Sequence, residues 1–209
     1  MEAARAVLFD FGGVLFRQDW AEYDTFGEQH GLPRGALRRA LYGTPAWRDL
    51  QVGRANREDW AAAVIEELRE HCGDRAEAVF QEWRARPPER HEPNIALARA
   101  LRAGGVRIGL LSNAAPDLEE MLVPHYGVDI AWHDRVISGL VGLAKPDAAI
   151  YELAAERIGV EAGRCFFIDD LAENVEAARA VGMGAHHFQG DYAALEADLR
   201  AAGYDWAAS

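Results

Sequence analysis

The chain is 209 residues long, with 22 basic and 34 acidic side chains and a formal net charge of −12. Half of its residues are hydrophobic and 27% are charged, a composition that belongs to a folded globular chain and not to a disordered or fibrous one. The acidic balance argues against a nucleic-acid backbone or an anionic membrane surface as partner, because both need clustered cations.

No run approaches the roughly 20 consecutive apolar residues of a membrane-spanning helix. The opening Met1-Glu2-Ala3-Ala4-Arg5 lacks the basic start and apolar segment of a secretory signal. Cys72 and Cys165 are far apart and outside any CxxC or Cys/His cluster, so no disulfide framework is expected and a reducing cytoplasm is.

In chain order, Ala6-Val7-Leu8-Phe9 reads as a buried strand ending at Asp10, broken by Gly12-Gly13. From Arg17 to Arg86 the apolar and aromatic residues recur at spacings of three and four (Trp20, Tyr23, Phe26; Trp60, Val64, Leu68), which predicts amphipathic helices without an intervening strand. Pro87-Pro88 closes that stretch. Beyond it the pattern alternates. A helix is expected from Ile95 to Leu101, a strand from Val106 to Leu111 running into Ser112-Asn113, and a short helix from Pro116 to Leu122. A weak strand Arg135-Val136-Ile137, a helix from Pro146 to Ile158 and a strand Cys165 to Ile168 running into Asp169-Asp170 follow. The last elements are a helix from Ala172 to Val181, a strand from Ala185 to Phe188 and a helix from Asp191 to Ala202.

Alternating strands and helices imply an α/β fold with a doubly wound parallel, Rossmann-like sheet. The helical stretch after the first strand is an insert. The expected organisation is a core of residues 1–16 and 88–209 carrying a helical cap of residues 17–87.

In such a sheet, ligands bind beyond the carboxyl ends of the strands. Asp10, Ser112-Asn113 and Asp169-Asp170 all stand at strand ends, and Lys145 precedes a helix that starts on the same side. Carboxylates at Asp10 and Asp170 supply hard oxygen ligands suited to Mg2+. Ser112, the backbone N–H groups from Asn113 to Pro116, and Lys145 supply donors and positive charge. A metal, a lysine, a hydroxyl and free N–H groups together describe a phosphate site, within which an aspartate can act as nucleophile.

These residues resemble the motifs of the haloacid dehalogenase superfamily of phosphohydrolases. The first motif stands as Phe9-Asp10-Phe11-Gly12-Gly13-Val14-Leu15, the second as Leu110-Leu111-Ser112-Asn113, and the third as Lys145-Pro146. The fourth is Phe167-Ile168-Asp169-Asp170 with Asn174. The helical insert is similar to that family's small α-helical cap. The resemblance implies that Asp10 is the nucleophile and a metal ligand, that Gly12 lends its carbonyl to Mg2+, and that Asp170 is the other carboxylate on the metal. Asp169 joins or supports the metal shell, with Asn174 behind it. Ser112, Asn113 and Lys145 hold the phosphate. Which of Asp169 and Asp170 is the principal ligand stays open at this level.

One position departs from the family. Most of its phosphatases carry a second aspartate two residues after the nucleophile, as general acid and base, and this chain has Gly12 there. The pattern is similar to DxGxV sugar-phosphate phosphatases. Either the substrate has a good leaving group, such as an anomeric or acyl phosphate, or another acid substitutes, Asp19 first and Glu22 behind it.

The function expected is a Mg2+-dependent phosphohydrolase of a small phosphorylated metabolite, monomeric or homodimeric, binding neither nucleic acid nor membrane. The alternatives are a 2-haloacid dehalogenase on the same fold and a phosphate- and metal-binding regulatory module without turnover. No GxxxxGK[ST] or GxGxxG loop is present. His186-His187 are adjacent on a strand and point to opposite faces, which disfavours a shared metal. Gly12-Gly13 reads as a requirement of a tight turn. Trp20, Trp47, Arg17 and Arg48 are the insert residues placed to reach a substrate.

Overall fold

The structure, a computed structural model, describes residues 4–206. β1 (Ala6–Phe9) is followed by five helices: α1 (Trp20–Gln29), α2 (Ala36–Tyr42), α3 (Pro45–Leu50), α4 (Arg57–Cys72) and α5 (Ala76–Arg84). Next come α6 (Glu92–Ala103), β2 (Arg107–Ser112), α7 (Leu118–Met121), β3 (Asp134–Ile137), α8 (Ser138–Val141) and α9 (Ala148–Ile158). The chain ends with β4 (Cys165–Asp169), α10 (Ala172–Ala180), β5 (Gly184–His187) and α11 (Tyr192–Ala201).

The strands form one parallel sheet in the order β3-β2-β1-β4-β5. β1 is central and β4 is fully buried beside it, because helices cover both faces. Side chains alternate across the sheet. Val7, Phe9, Ile108, Leu110, Phe166 and Ile168 pack under α6 and α11. Leu8, Leu111 and Phe167 face the other way, against Ile150 and Tyr151 of α9 and Val175 of α10. The chain winds from β1 through β2 to β3, then returns to place β4 on the other side of β1. The strand order therefore reverses between β1 and β4, and the residues following those two strands, Asp10 and Asp170, flank the switch point.

The five helices between β1 and β2 bury a third apolar cluster that includes Phe26, Leu37, Leu41, Trp60, Leu68 and Phe80. Their ends are set by local chemistry. Asp19 accepts from Ala21 N to cap α1, Thr44 accepts from Trp47 N ahead of Pro45 in α3, and Asn56 accepts from Asp59 N to cap α4. The two strands of chain that enter and leave this insert are zipped together. Arg17 N donates to Glu89 O and His91 N donates to Leu15 O, both at 2.8 Å.

Most expected elements fall where the sequence pattern puts them. The helix expected from Pro116 is shorter, Leu118–Met121, because the chain turns first through Ala115. The helix after Lys145 starts at Ala148, capped by Asp147, so Pro146 lies outside it and its peptide bond with Lys145 is cis. The short helix α8 had no sequence signal. Cys72 and Cys165 are both buried and unbridged. Among the described residues no helix is long and apolar enough to cross a membrane.

Candidate active site

Asp10 leaves the end of β1 with its backbone N–H donating to Ile168 O, so β4 fixes where its side chain begins. Asp10 as a residue is 7% exposed. Lys145 Nζ lies 2.9 Å from Asp10 Oδ1 and 2.6 Å from Asp169 Oδ2, and donates to Leu111 O at 3.2 Å. The contact with Asp10 is an ion pair, and the buried Asp10 Oδ1 has no other partner among the described residues. The lysine stem lies over Phe167, with Nζ 5.1 Å from the ring centroid. Its backbone is gripped by Asn113, whose Oδ1 accepts from Lys145 N and whose Nδ2 donates to Lys145 O.

Asp169 is fully buried and its oxygens are engaged by the protein. Oδ1 accepts from Leu171 N at 2.8 Å and Asn174 Nδ2 at 3.0 Å. Oδ2 accepts from Lys145 Nζ at 2.6 Å and Asn174 Nδ2 at 3.1 Å. Asn174 stands on the first turns of α10, which brings its amide back under the strand end. Asp170 is half-buried and faces the loop after β1. A β-carbon on Gly13 would lie 2.2 Å from Asp170 Cγ, and Gly13 has a φ of +73°, so both space and backbone require glycine there. Gly12 has no such φ, so the turn requirement read from the Gly12-Gly13 pair applies to Gly13 alone.

The electrostatics follow from this crowding. One oxygen from each of Asp10, Asp169 and Asp170 lies within 4.8 Å of the others. Burial pushes the Asp10 carboxyl up to about 6; Lys145 opposes that rise and Asp169 adds to it. Burial, then the charges of Asp10 and Asp169, push Asp170 up to about 7. For Lys145, burial favours the neutral amine, but Asp10 and Asp169 outweigh it and the pKa ends above the ordinary lysine value. Three carboxyls share one ammonium. This set of hard oxygen donors, with two acids held up chiefly by burial and Asp10 Oδ1 met only by the Lys145 charge, fits a small divalent cation such as Mg2+.

Ser112 ends β2 and is buried at the same sheet edge. The Asn113 side chain is turned to Lys145, and the N–H of Ala114 is taken by Ser138 Oγ at 2.9 Å. The run of N–H groups expected from Asn113 to Pro116 is thus shortened by Ala114. Sequence reasoning missed Ser138, which ties the loops after β2 and β3, and Asn94, whose Nδ2 donates to Val14 O and anchors the loop after Asp10. Both are fully buried polar residues, a property with no local sequence signal.

Among the insert residues, Asp19 is engaged as the α1 cap, and Glu22 is exposed opposite Arg86. Arg17 pairs with Glu89. Trp20 lies under the Arg38 guanidinium, 4.0 Å from its centroid, and Trp47 packs between Tyr42 and Trp60. Arg48 is exposed on α3. His186 and His187 do diverge. His186 Nδ1 meets Asp198 at 2.7 Å, while His187 Nε2 meets the backbone carbonyl of Asp170 at 2.9 Å.

The family model of haloacid dehalogenase-like hydrolases matches residues 4–182. The chain belongs to that family. It is 32% identical to a phosphatase of Mycobacterium tuberculosis over 87% of this chain and 85% of the relative. It is 30% identical to a sesquiterpene phosphatase of Aspergillus oryzae over 88% and 89%. A haloacid dehalogenase family enzyme of Bacteroides thetaiotaomicron, solved with magnesium and inorganic phosphate, shares the fold. Its TM-score is 0.68 at 18% identity, covering 92% of this chain and 99% of that one. As a member of the family the protein is a hydrolase. The residues expected from the sequence to form its site, Asp10, Ser112, Lys145, Asp169 and Asp170, lie together at the ends of β1, β2 and β4.

Proposed function

We propose that the protein is a Mg2+-dependent phosphohydrolase of small phosphorylated metabolites, of the sugar-phosphate type, acting through an aspartyl-phosphate on Asp10. The observation that carries this reading is Lys145 Nζ, 2.9 Å from Asp10 and 2.6 Å from Asp169, beside a third carboxyl at Asp170. A nucleophilic carboxylate beside a buried ammonium and a hard cation site suits attack on a phosphate. It suits a carboxylate substrate less, because the extra acids repel one.

Asp10, Asp170 and the Gly12 carbonyl would hold the metal. When bound, Mg2+ neutralises charge, so that a phosphate dianion and a carboxylate can approach. Asp10 attacks phosphorus while the bond to the leaving oxygen breaks, and water then releases phosphate and restores the carboxylate. Lys145 and Ser112 bind phosphate oxygens, with the backbone N–H of Asn113 beside them. Asp169 is a positioning residue in this reading. Its oxygens already accept from Lys145, Asn174 and Leu171, so it aims the ammonium and leaves the metal to Asp170. Residues 17–87 form a cap over the sheet edge. Support for that comes from Ala115, in the loop after β2, which is buried in the insert's apolar cluster.

The experiment is phosphate release from a panel of phosphorylated metabolites, with Mg2+ and with chelator, beside Asp10→Asn. Release that needs Mg2+ and is lost in the variant supports the reading. No release from any compound, or halide release from 2-haloacids, overturns it.

A further inference from the structure

Position 12 lacks the acid common in the family, and another side chain stands in its space. A β-carbon built on Gly12 would lie 2.8 Å from Gln18 Oε1 and 3.7 Å from Gln18 Cδ. The backbone of Gly12 is not left-handed, so what a side chain there would meet is the tip of Gln18 and not a strained turn. The approach is built by the fold. Phe16 bridges to Gly12 on one side and to Arg90 on the other, which turns the chain so that Gln18 comes back over the loop following Asp10. The Gln18 amide faces the hydroxyls of Tyr23 and Tyr42, which are themselves 3.2 Å apart. Both rings are packed, Tyr23 against Trp83 at 4.3 Å and Tyr42 against Trp47 at 5.2 Å, so the amide is held from behind.

We infer that Gln18 orients the water that hydrolyses the phosphorylated enzyme, its Oε1 accepting a hydrogen bond where the missing side chain at position 12 would reach. This rests on the phosphohydrolase reading. An amide neither gives nor takes a proton at neutral pH, so its help is orientation. The water oxygen bonds to phosphorus. The bond from phosphorus to Asp10 breaks, and its electron pair returns to the carboxylate. The proton held by Gln18 stays on the attacking oxygen, and the other passes to a second phosphate oxygen. In the first step Oε1 has no proton for the leaving group. Substrates are therefore restricted to phosphates whose leaving group departs as a stable anion, or is protonated from elsewhere, and only the second step depends on Gln18.

That asymmetry gives the test. With p-nitrophenyl phosphate and Mg2+, Gln18→Ala is expected to lower kcat about 10- to 100-fold. KM falls in parallel, leaving kcat/KM within about threefold, because kcat/KM contains no contribution from dephosphorylation. Rapid quench shows phosphorylated enzyme accumulating as the major form. Gln18→Glu, close in shape, retains folding and adds one further ionisation to the pH profile of kcat. Gly12→Asp combined with Gln18→Gly recovers turnover that Gln18→Gly alone loses. A Gln18→Ala enzyme with kcat within twofold of wild type, or one whose kcat/KM falls as far as kcat with no phosphorylated enzyme accumulating, overturns the assignment while the phosphohydrolase reading stands. A wild type that releases no phosphate overturns both.

Discussion

Asn113 holds Lys145 by its backbone, with Oδ1 accepting from the Lys145 N–H and Nδ2 donating to the Lys145 carbonyl, both at 2.9 Å. One strand-end residue thereby fixes the origin of a side chain 32 positions away, and Asp169 fixes its tip. The ammonium between Asp10 and Asp169 is positioned at both ends before any substrate arrives, which lowers the cost of organising the site during reaction.

Asn113→Ala is therefore expected to cost catalysis more than fold. Two part-buried hydrogen bonds are lost, which amounts to about 1–3 kcal/mol of stability. The freed Lys145 backbone lowers kcat/KM on the best phosphate substrate about 10- to 100-fold. Steady-state kinetics beside thermal unfolding checks this. Unchanged kinetics in a destabilised protein would reduce Asn113 to a packing residue.

Asp169 and Asp170 are expected to separate cleanly. Asp169 is fully buried on Lys145, so Asp169→Asn leaves a buried ammonium short of a partner and destabilises the protein by about 3 kcal/mol or more. If Mg2+ binds as proposed, this variant is expected to keep the rise in melting temperature that the metal gives the wild type. Asp170 is half-buried among like charges, so Asp170→Asn relieves repulsion. That variant is expected to be at least as stable as wild type without metal at pH 8, and to lose the Mg2+-dependent rise. Thermal melts with and without Mg2+ decide it, and the reverse pattern would exchange the two roles.

The carboxyls of Asp10 and Asp170 titrate near 6 and near 7 in the folded protein, against about 4 in the unfolded chain. Between pH 4 and 7 the folded state accordingly binds more protons than the unfolded state, and stability in chelator falls as pH rises through that window. Mg2+ competes with those same protons, so its affinity is expected to weaken as pH drops from 8 to 5. Melting temperatures across that range, in chelator and in Mg2+, should converge at the acid end and diverge at the alkaline end. Parallel curves would contradict the assignment of Asp10 and Asp170 to the metal.

The sheet and its polar edge were legible because they rest on short-range signals. Apolar runs such as Ala6–Phe9 and Cys165–Ile168 end at carboxylates, and glycines or prolines punctuate the helices between. What the sequence could not show are the partners that side chains choose across the fold. Asn113 read as part of the phosphate site through its backbone N–H, and nothing local in the chain shows that its side-chain amide is turned to Lys145, 32 positions on. Asp19 read as a replacement acid because it lies soon after Gly12, yet it caps α1, while its neighbour Gln18 stands over Gly12. Gly12 and Gly13 look alike in the chain, and only Gly13 is held by its φ and by Asp170. Each of these outcomes depends on where a distant element packs, which local propensity does not encode.

The insert meets the loop after β2 through Arg57, at the start of α4, whose Nε pairs with Asp117 Oδ2. Both side chains are 38% exposed, so the pair adds less than about 1 kcal/mol to stability. Its consequence is positional. Asp117 lies five residues beyond Ser112, so the pair ties the insert to the loop that leads out of the proposed phosphate site. If residues 17–87 act as a cap, Arg57→Ala loosens that closure. The expected result is a KM raised a few-fold together with an altered kcat, at a melting temperature within about 2 °C of wild type. The charge exchange Arg57→Asp with Asp117→Arg restores KM if the ion pair itself is responsible. Kinetics unchanged in both variants would show that closure does not pass through this contact.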